Sequence, residues 1–407
     1  KPSLIIAKST IGKFAPNKQN TSSIHGAPLG NEEMKLFFDE IGWESDPFDH
    51  SDDVYDYFAE KRLEDNKSFE KWKSNLDNKL NNDDSFKKLW EQFEKNELNF
   101  PESFEIQEAA TRVTGGNYLK LIGLENKFVL GGSADLAAST KQIISEESYT
   151  SENRHGQNIE FGIREHSMAA VVNGISLHSN LFSFGSTFLV FSDYMRPSIR
   201  LASLMNLNSA YIFTHDSIYL GEDGPTHQPV EHLMSLRLIP GLDVIRPSNS
   251  VETIYAYKYL FSNTKNPKVL SLTRQNLKFL DYDVDYSDFL NGGFIISKGE
   301  DLTIFASGSE VNLALEIKET LKEYSVQVVS VPILNKLTPK ISESLNNNKL
   351  TFTIELGKAA GWSDYIGNIT ESFSVQTFGK SAPENDLAEF FKVNADSIGK
   401  KIRNYLG

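Results

Sequence analysis

Sixteen consecutive residues, Thr214 to Pro229, hold two histidines (His215, His227), three carboxylates (Asp216, Glu222, Asp223) and two glycines (Gly221, Gly224). They follow an apolar run, Ser209–Phe213, that reads as a strand. Catalytic and binding groups of open parallel sheets collect beyond the carboxyl ends of strands. A loop of this polarity therefore reads as a site: imidazoles for proton transfer, carboxylates for hydroxyl recognition. Two more polar clusters follow predicted strands, Gly132-Ser133-Ala134-Asp135 and Gly162-Ile163-Arg164-Glu165-His166. Each alone would be explained by capping, with Ser133 or Asp135 as a helix N-cap. Three in one sheet would converge on one crevice.

Other residues admit two explanations. His227, Glu231 and His232 contain metal-ligating types, but the spacing is one residue longer than the H-x-x-E-H pattern of a zinc-protease class. Phe188, Phe191 and Tyr194 recur at i, i+3, i+6 on a predicted helix, which suits a core stripe or an aromatic wall for a flat heterocycle. Arg112, Ser139, His215 and Arg274, if brought to one mouth, would suit a phosphate dianion, whose oxygens match guanidinium forks.

The elements that must position these residues alternate. Between Pro101 and Tyr286, helices are predicted over Phe104–Leu121, Arg164–Leu177, Thr187–Met205, Val230–Leu236 and Val251–Phe261. Strands are predicted at Phe128–Leu130, Ile159–Phe161, Ser209–Phe213 and Val269–Leu272. A second unit starts near Asn291, with strands at Leu302–Ala306, Val326–Val331, Leu350–Ile354 and Ser374–Phe378, and a helix over Val311–Tyr324. The fold class is α/β: two doubly wound α/β domains with mainly parallel sheets, preceded by the tail of a third. The expected division is 1–98 (that tail plus a charged helical linker), 99–286 and 287–407. The linker reads as amphipathic helices from Asp52 to Glu97, broken at Asn81–Asp84, after a short helix near Asn31–Glu40. Residues 2–8 look like a buried strand lacking partners, as if an earlier part of a domain were absent.

Composition narrows the classes. A net charge of −14 argues against general nucleic-acid binding, and the absence of cysteine removes disulfides and thiolate nucleophiles. No apolar run approaches the ~18 residues that span a bilayer. A cytoplasmic protein with no membrane partner is expected.

At these residues the chain resembles transketolase, a thiamine-diphosphate enzyme that moves two-carbon ketol units between sugar phosphates. The likeness runs from Ser9-Thr10-Ile11-Gly12 and His25-Gly26-Ala27-Pro28-Leu29, through the three clusters and Ser271–Asn276, to Gly379-Lys380-Ser381-Ala382-Pro383. The resemblance implies catalytic roles for Glu165, His227 and His25. Glu165 would bond the cofactor's aminopyrimidine, its proton affinity raised by burial. Phe188, Phe191, Tyr194, Asp135, Ile11 and His25 would bind the cofactor. Arg112, Ser139, His215, Asp223, His227, Arg274 and His25 would bind substrate. It also implies Mg2+ or Ca2+, sugar-phosphate substrates, and a homodimer with cofactor at the subunit interface.

There are departures. Ser22 stands where the family commonly has histidine, and Asn158 and Glu160 replace aromatic and basic residues. Gly115-Gly116 is expected to interrupt the helix after Arg112. The family's Gly-Asp-Gly metal motif is not found in this sequence, so no metal ligand is assigned. The expectation is thus a chain lacking most of the diphosphate-binding domain and inactive alone. Dihydroxyacetone synthase, 1-deoxyxylulose 5-phosphate synthase and a non-catalytic subunit are the competing assignments.

Overall fold

The computed structural model describes residues 3–407 except Gln107, Asp281 and Asn347. It divides into two compact units, Lys1–Lys87 and Lys88–Gly407.

In the first unit the expected strand at the start does not form. Pro2 lies outside the described residues, and Leu4, Ile5 and Ile6 are exposed. A strand needs a ladder for its backbone groups, and no described strand pairs with this segment. Helix α1 (Asn31–Ile41) stops at Gly42, whose φ of +66° and back-bonded N–H form a left-handed cap. Helix α2 (Asp52–Asn82) has Asp52 and Asp53 in its first turn and Lys79 in its last, a charge order that opposes the helix dipole. The expected break falls at Asp83. Its carboxylate accepts from Phe86 N at 2.9 Å and from Ser85 Oγ at 2.7 Å, opening α3 (Asp84–Lys95).

The first domain of the second unit contains α4 (Thr111–Glu125), β1 (Val129–Ser133), α5 (Ala137–Thr140), α6 (Glu165–His178) and β2 (Phe182–Phe188). It continues with α7 (Ser192–Leu204), β3 (Ala210–Thr214), α8 (His232–Arg237), β4 (Asp243–Ile245), α9 (Ser250–Leu260) and β5 (Lys268–Leu272). The sheet order is β1-β2-β3-β5-β4, all parallel. Register aligns Phe188 with Thr214 and Thr214 with Leu272. The ends of three neighbouring strands therefore release their loops at one edge.

Three expectations fail here. Residues 159–161 make no strand; the neighbouring Asn158 forms only isolated bridges, one of them to Gly131. The helix expected over Thr187–Met205 is preceded by β2, which runs through Phe188. All seven residues of β2 are buried, because a parallel strand covered on both faces shows no polar alternation. Gly115 and Gly116 do not interrupt α4. A Cβ on Gly115 would stand 2.7 Å from the Tyr257 ring, and one on Gly116 would collide with the Lys141 carbonyl. These glycines serve close packing.

The second domain holds α10 (Tyr286–Leu290), β6 (Phe294–Ser297), β7 (Leu302–Ala306), α11 (Glu310–Thr320), β8 (Val326–Ser330) and α12 (Pro339–Leu345). β9 (Leu350–Glu355), α13 (Ser363–Ile366), β10 (Glu371–Ser374), α14 (Glu384–Phe391) and α15 (Ala395–Leu406) complete it. Its order is β10-β9-β7-β8-β6, with only β6 antiparallel. The last strand ends at Ser374, where the sequence suggested one beginning. Among the described residues, no helix is long and apolar enough to cross a membrane.

Buried charge marks this unit. Lys268 on β5 is fully buried; its Nζ donates to Asn208 Oδ1 at 2.8 Å and to the Ser262 carbonyl at 3.3 Å. Burial pulls its pKa down to about 7, reinforced by Lys336 and opposed by Asp243. An unfolded lysine titrates near ~10.4, so between those values the unfolded chain binds more protons. Stability is then lost as pH falls through that window. Urea unfolding should show stability rising from pH 7 to 9, and Lys268→Met should flatten the slope; an unchanged slope would contradict the assignment.

Candidate active site

The aromatic residues are not on one helix. Phe188 ends β2, Phe191 closes a 3-10 turn (Leu189–Phe191), and Tyr194 lies in the first turn of α7. They nonetheless form a wall. The Phe188 and Phe191 rings are 5.8 Å apart and 7° from parallel, and Tyr194 continues at 6.0 Å and 31°. Phe188 is buried while Tyr194 is 63% exposed, so the wall opens outward.

His215 follows β3 with a positive φ of 61°. Its ring stacks on Phe188 at 3.7 Å, Nδ1 meets Thr214 Oγ1 at 2.8 Å, and Nε2 is 3.5 Å from Arg112 Nη1. Loss of water, followed by the charges of Arg112, Arg274 and His227, pushes its pKa down to about 3. At neutral pH this ring is an uncharged hydrogen-bonding group. His227 stands edge-on to Phe191 at 5.5 Å and to Phe188 at 6.5 Å, with Nδ1 3.0 Å from Thr226 Oγ1.

Arg112, in the first turn of α4, donates to the Ser139 carbonyl at 2.5 Å. Ser139 thus meets the arginine through its backbone. Burial lowers the Arg112 pKa, the charge of Arg274 adds to that, and Asp223 opposes it. Arg112, Arg274, Asp223, His215 and His227 therefore share one electrostatic neighbourhood. Asp223 and Arg274 are exposed, as suits groups that meet a ligand.

Glu165 is half-buried in the first turn of α6, which packs along α7. Asp135 is exposed with φ of +60° in the turn after β1. Neither Asp135 nor Ser133 caps a helix: Leu136 precedes α5 without a side-chain cap, and Ser133 Oγ donates across the sheet to the Ser186 carbonyl at 3.0 Å. Ile11 and His25 belong to the first unit, where both are exposed, His25 directly after a 3-10 turn at Ser22–Ile24.

The metal spacing considered for His227, Glu231 and His232 is not realised. The ligand-type group is Asp193, Glu231 and His232, with His232 Nε2 3.2 Å from Asp193 Oδ2. His227 faces the aromatic wall instead. The 16-residue loop is held by a residue that sequence reasoning passed over. Gln228 Nε2 donates to Ile218 O at 3.2 Å and Gly221 O at 2.8 Å. Its only sequence signal was a polar residue between His227 and Pro229.

The family model described as "Transketolase, pyrimidine binding domain" matches residues 107–279. "Transketolase-like TK C-terminal domain" matches 292–394, and "Transketolase, thiamine diphosphate binding domain" matches 1–98. The chain belongs to the transketolase family. A transketolase of Bacillus subtilis is 38% identical over 99% of this chain, and that of Halalkalibacterium halodurans is 39% identical over all of it. The chain spans 64% of the length of these two relatives. The solved transketolase of Leishmania mexicana superposes with a TM-score of 0.88 at 30% identity, covering 97% of this chain and 60% of that one. The match over 1–98 corrects one expectation: residues of all three domains are represented, so a chain lacking most of the diphosphate-binding domain is not borne out. Inactivity of the chain alone has no support in these matches either.

Proposed function

We propose that the chain is a transketolase. It would reversibly move a two-carbon ketol unit from a ketose phosphate (xylulose 5-phosphate) to an aldose phosphate (ribose 5-phosphate or erythrose 4-phosphate). One observation carries this: a parallel ring pair, an edge-on His227 and a neutral His215 beside Arg112 meet at one sheet edge.

The flat, outward-opening face of Phe188, Phe191 and Tyr194 fits an aminopyrimidine. Bound thiamine diphosphate supplies the nucleophilic carbon and the electron sink. Glu165 would hold the proton exchanged at the pyrimidine nitrogen, and Asp135 would assist binding. His227 would move protons at the donor hydroxyls. Asp223 accepts from a substrate hydroxyl. Arg112 and Arg274, with Ser139 and the uncharged His215, receive the terminal phosphate; two guanidinium charges offset a dianion. Mg2+ or Ca2+ accompanies the cofactor in the family, and no metal ligand is assigned in this chain.

Exposed Ile163, Val171, Leu201 and Leu204, on or beside α6 and α7, support a homodimer with the cofactor at its interface.

The deciding experiment supplies thiamine diphosphate, Mg2+, xylulose 5-phosphate and ribose 5-phosphate. A seven-carbon ketose phosphate product confirms the assignment. Absence of that product defeats it. Arg112→Leu should raise KM for xylulose 5-phosphate about 10–100-fold, with little change for an unphosphorylated ketol donor. An equal loss for both donors would remove Arg112 from the phosphate grip.

A further inference from the structure

The loop carrying His215 to Gln228 is anchored in the second domain at both ends. At its start, Asp216 Oδ2 accepts from Arg246 Nε at 2.8 Å. Arg246 follows β4, and its Nη1 reaches Glu310 Oε2 at 2.6 Å and the Ser307 carbonyl at 2.8 Å in the second domain. The side chains of Arg246, Asp216 and Glu310 are all fully buried. Glu310 is itself fixed, accepting from Leu356 N at 2.5 Å. Gly308 lies over the guanidinium so closely that a Cβ there would stand 2.8 Å from Arg246 Nε. Midway along the loop, Ser381 Oγ donates to the Glu222 carbonyl at 2.6 Å. Gly379 presses on Gln228, leaving no room for a Cβ.

His215 lies between Thr214, the last residue of β3, and the tethered Asp216, in a left-handed conformation that L-residues rarely adopt. Surrounding structure must over-determine such a residue. Phe188 and Arg112 hold its ring from the same domain, while the adjoining Asp216 is held through Arg246 by Glu310 of the other domain.

We propose that Arg246, Glu310 and Ser381 are positioning residues through which the C-terminal domain holds the loop of His215 in its anion-gripping form. The ketol-transfer assignment enters only in naming the anion as a sugar phosphate; phosphate recognition itself is tested separately.

The probe is inorganic phosphate, titrated calorimetrically well below each variant's melting midpoint. Glu310→Gln keeps the shape and the acceptor for Leu356 but turns an amide toward Arg246. It should weaken phosphate about tenfold, with Ser381→Ala several-fold. Arg246→Lys retains the charge without the two-sided reach and should resemble Glu310→Gln. Lys268→Met, buried at the start of β5 away from the loop, is the control: it should shift the melting midpoint and leave phosphate affinity unchanged. If Glu310→Gln and Ser381→Ala also leave phosphate affinity within about twofold, the tethers are merely structural and the proposal is overturned. Absence of phosphate binding by the wild type overturns it as well. Phosphate binding without ketol transfer would sink only the functional assignment.

Discussion

Glu165→Gln should slow ketol transfer by about 10²–10⁴-fold, the range for removing a positioned proton-transfer group. The amide keeps the size and one hydrogen-bond acceptor, yet it cannot hold and return a proton. Glu165 sits in the first turn of α6. The substitution does not open a core cavity, because the residue is only half-buried. Single-turnover rates, cofactor titration and a melting curve separate the cases. Transfer within about threefold of wild type would remove Glu165 from the chemistry. Lost transfer with lost folding would say nothing of its role, and Glu165→Asp then serves, since it retains a carboxyl one methylene short.

The largest effect on stability should come from Glu355→Ala. Arg237, the last residue of α8, gives Nη1 to Glu355 Oε1 at 2.7 Å and Oε2 at 2.9 Å; both side chains are essentially inaccessible to water. Trp362 Nε1 donates to the same carboxylate at 2.8 Å. The carboxylate thus accepts three hydrogen bonds, two of them from across the boundary between the two α/β domains of the second unit. Its removal strands a buried guanidinium, a loss of about 3–5 kcal/mol. Replacing both partners by leucine should cost far less, because no charge remains unpaired in the interior. Urea unfolding of the single and double variants measures this. A single variant within about 1 kcal/mol of wild type would show that water reaches Arg237.

How far the sequence reached depends on the signal each element carried. Helices α1, α2 and α9 and strands β3, β5, β7 and β8 lie within a few residues of their expected positions. Caps and apolar runs announce those elements locally: Gly42 ends α1, and the Asn249 side chain accepts from Glu252 N to open α9. Strand β2 (Phe182–Phe188) carried no strand signal, its last two residues falling in the helix expected over Thr187–Met205, because its pattern is set by burial on both faces. Strand β4 is three residues long and β6 four, too short to show a period. Both are held by their neighbours.

Residue types and their order were enough to determine the parallel α/β class, the family, and the candidates at strand ends. A parallel sheet must release its loops at one edge, so the motifs after β1, β3 and β5 could be assigned to one crevice before any distance was known. Only the tertiary structure decided the rest. His215 is uncharged because Phe188, Arg112 and Arg274 surround it, and those partners lie 27 or more positions away in the chain. His227 faces rings rather than Glu231, and the C-terminal domain, which showed no chemistry of its own in sequence, holds the loop of the site. A pattern in sequence specifies which groups are available. Burial and long-range charge fix their protonation and aim, and those arise only when distant segments pack.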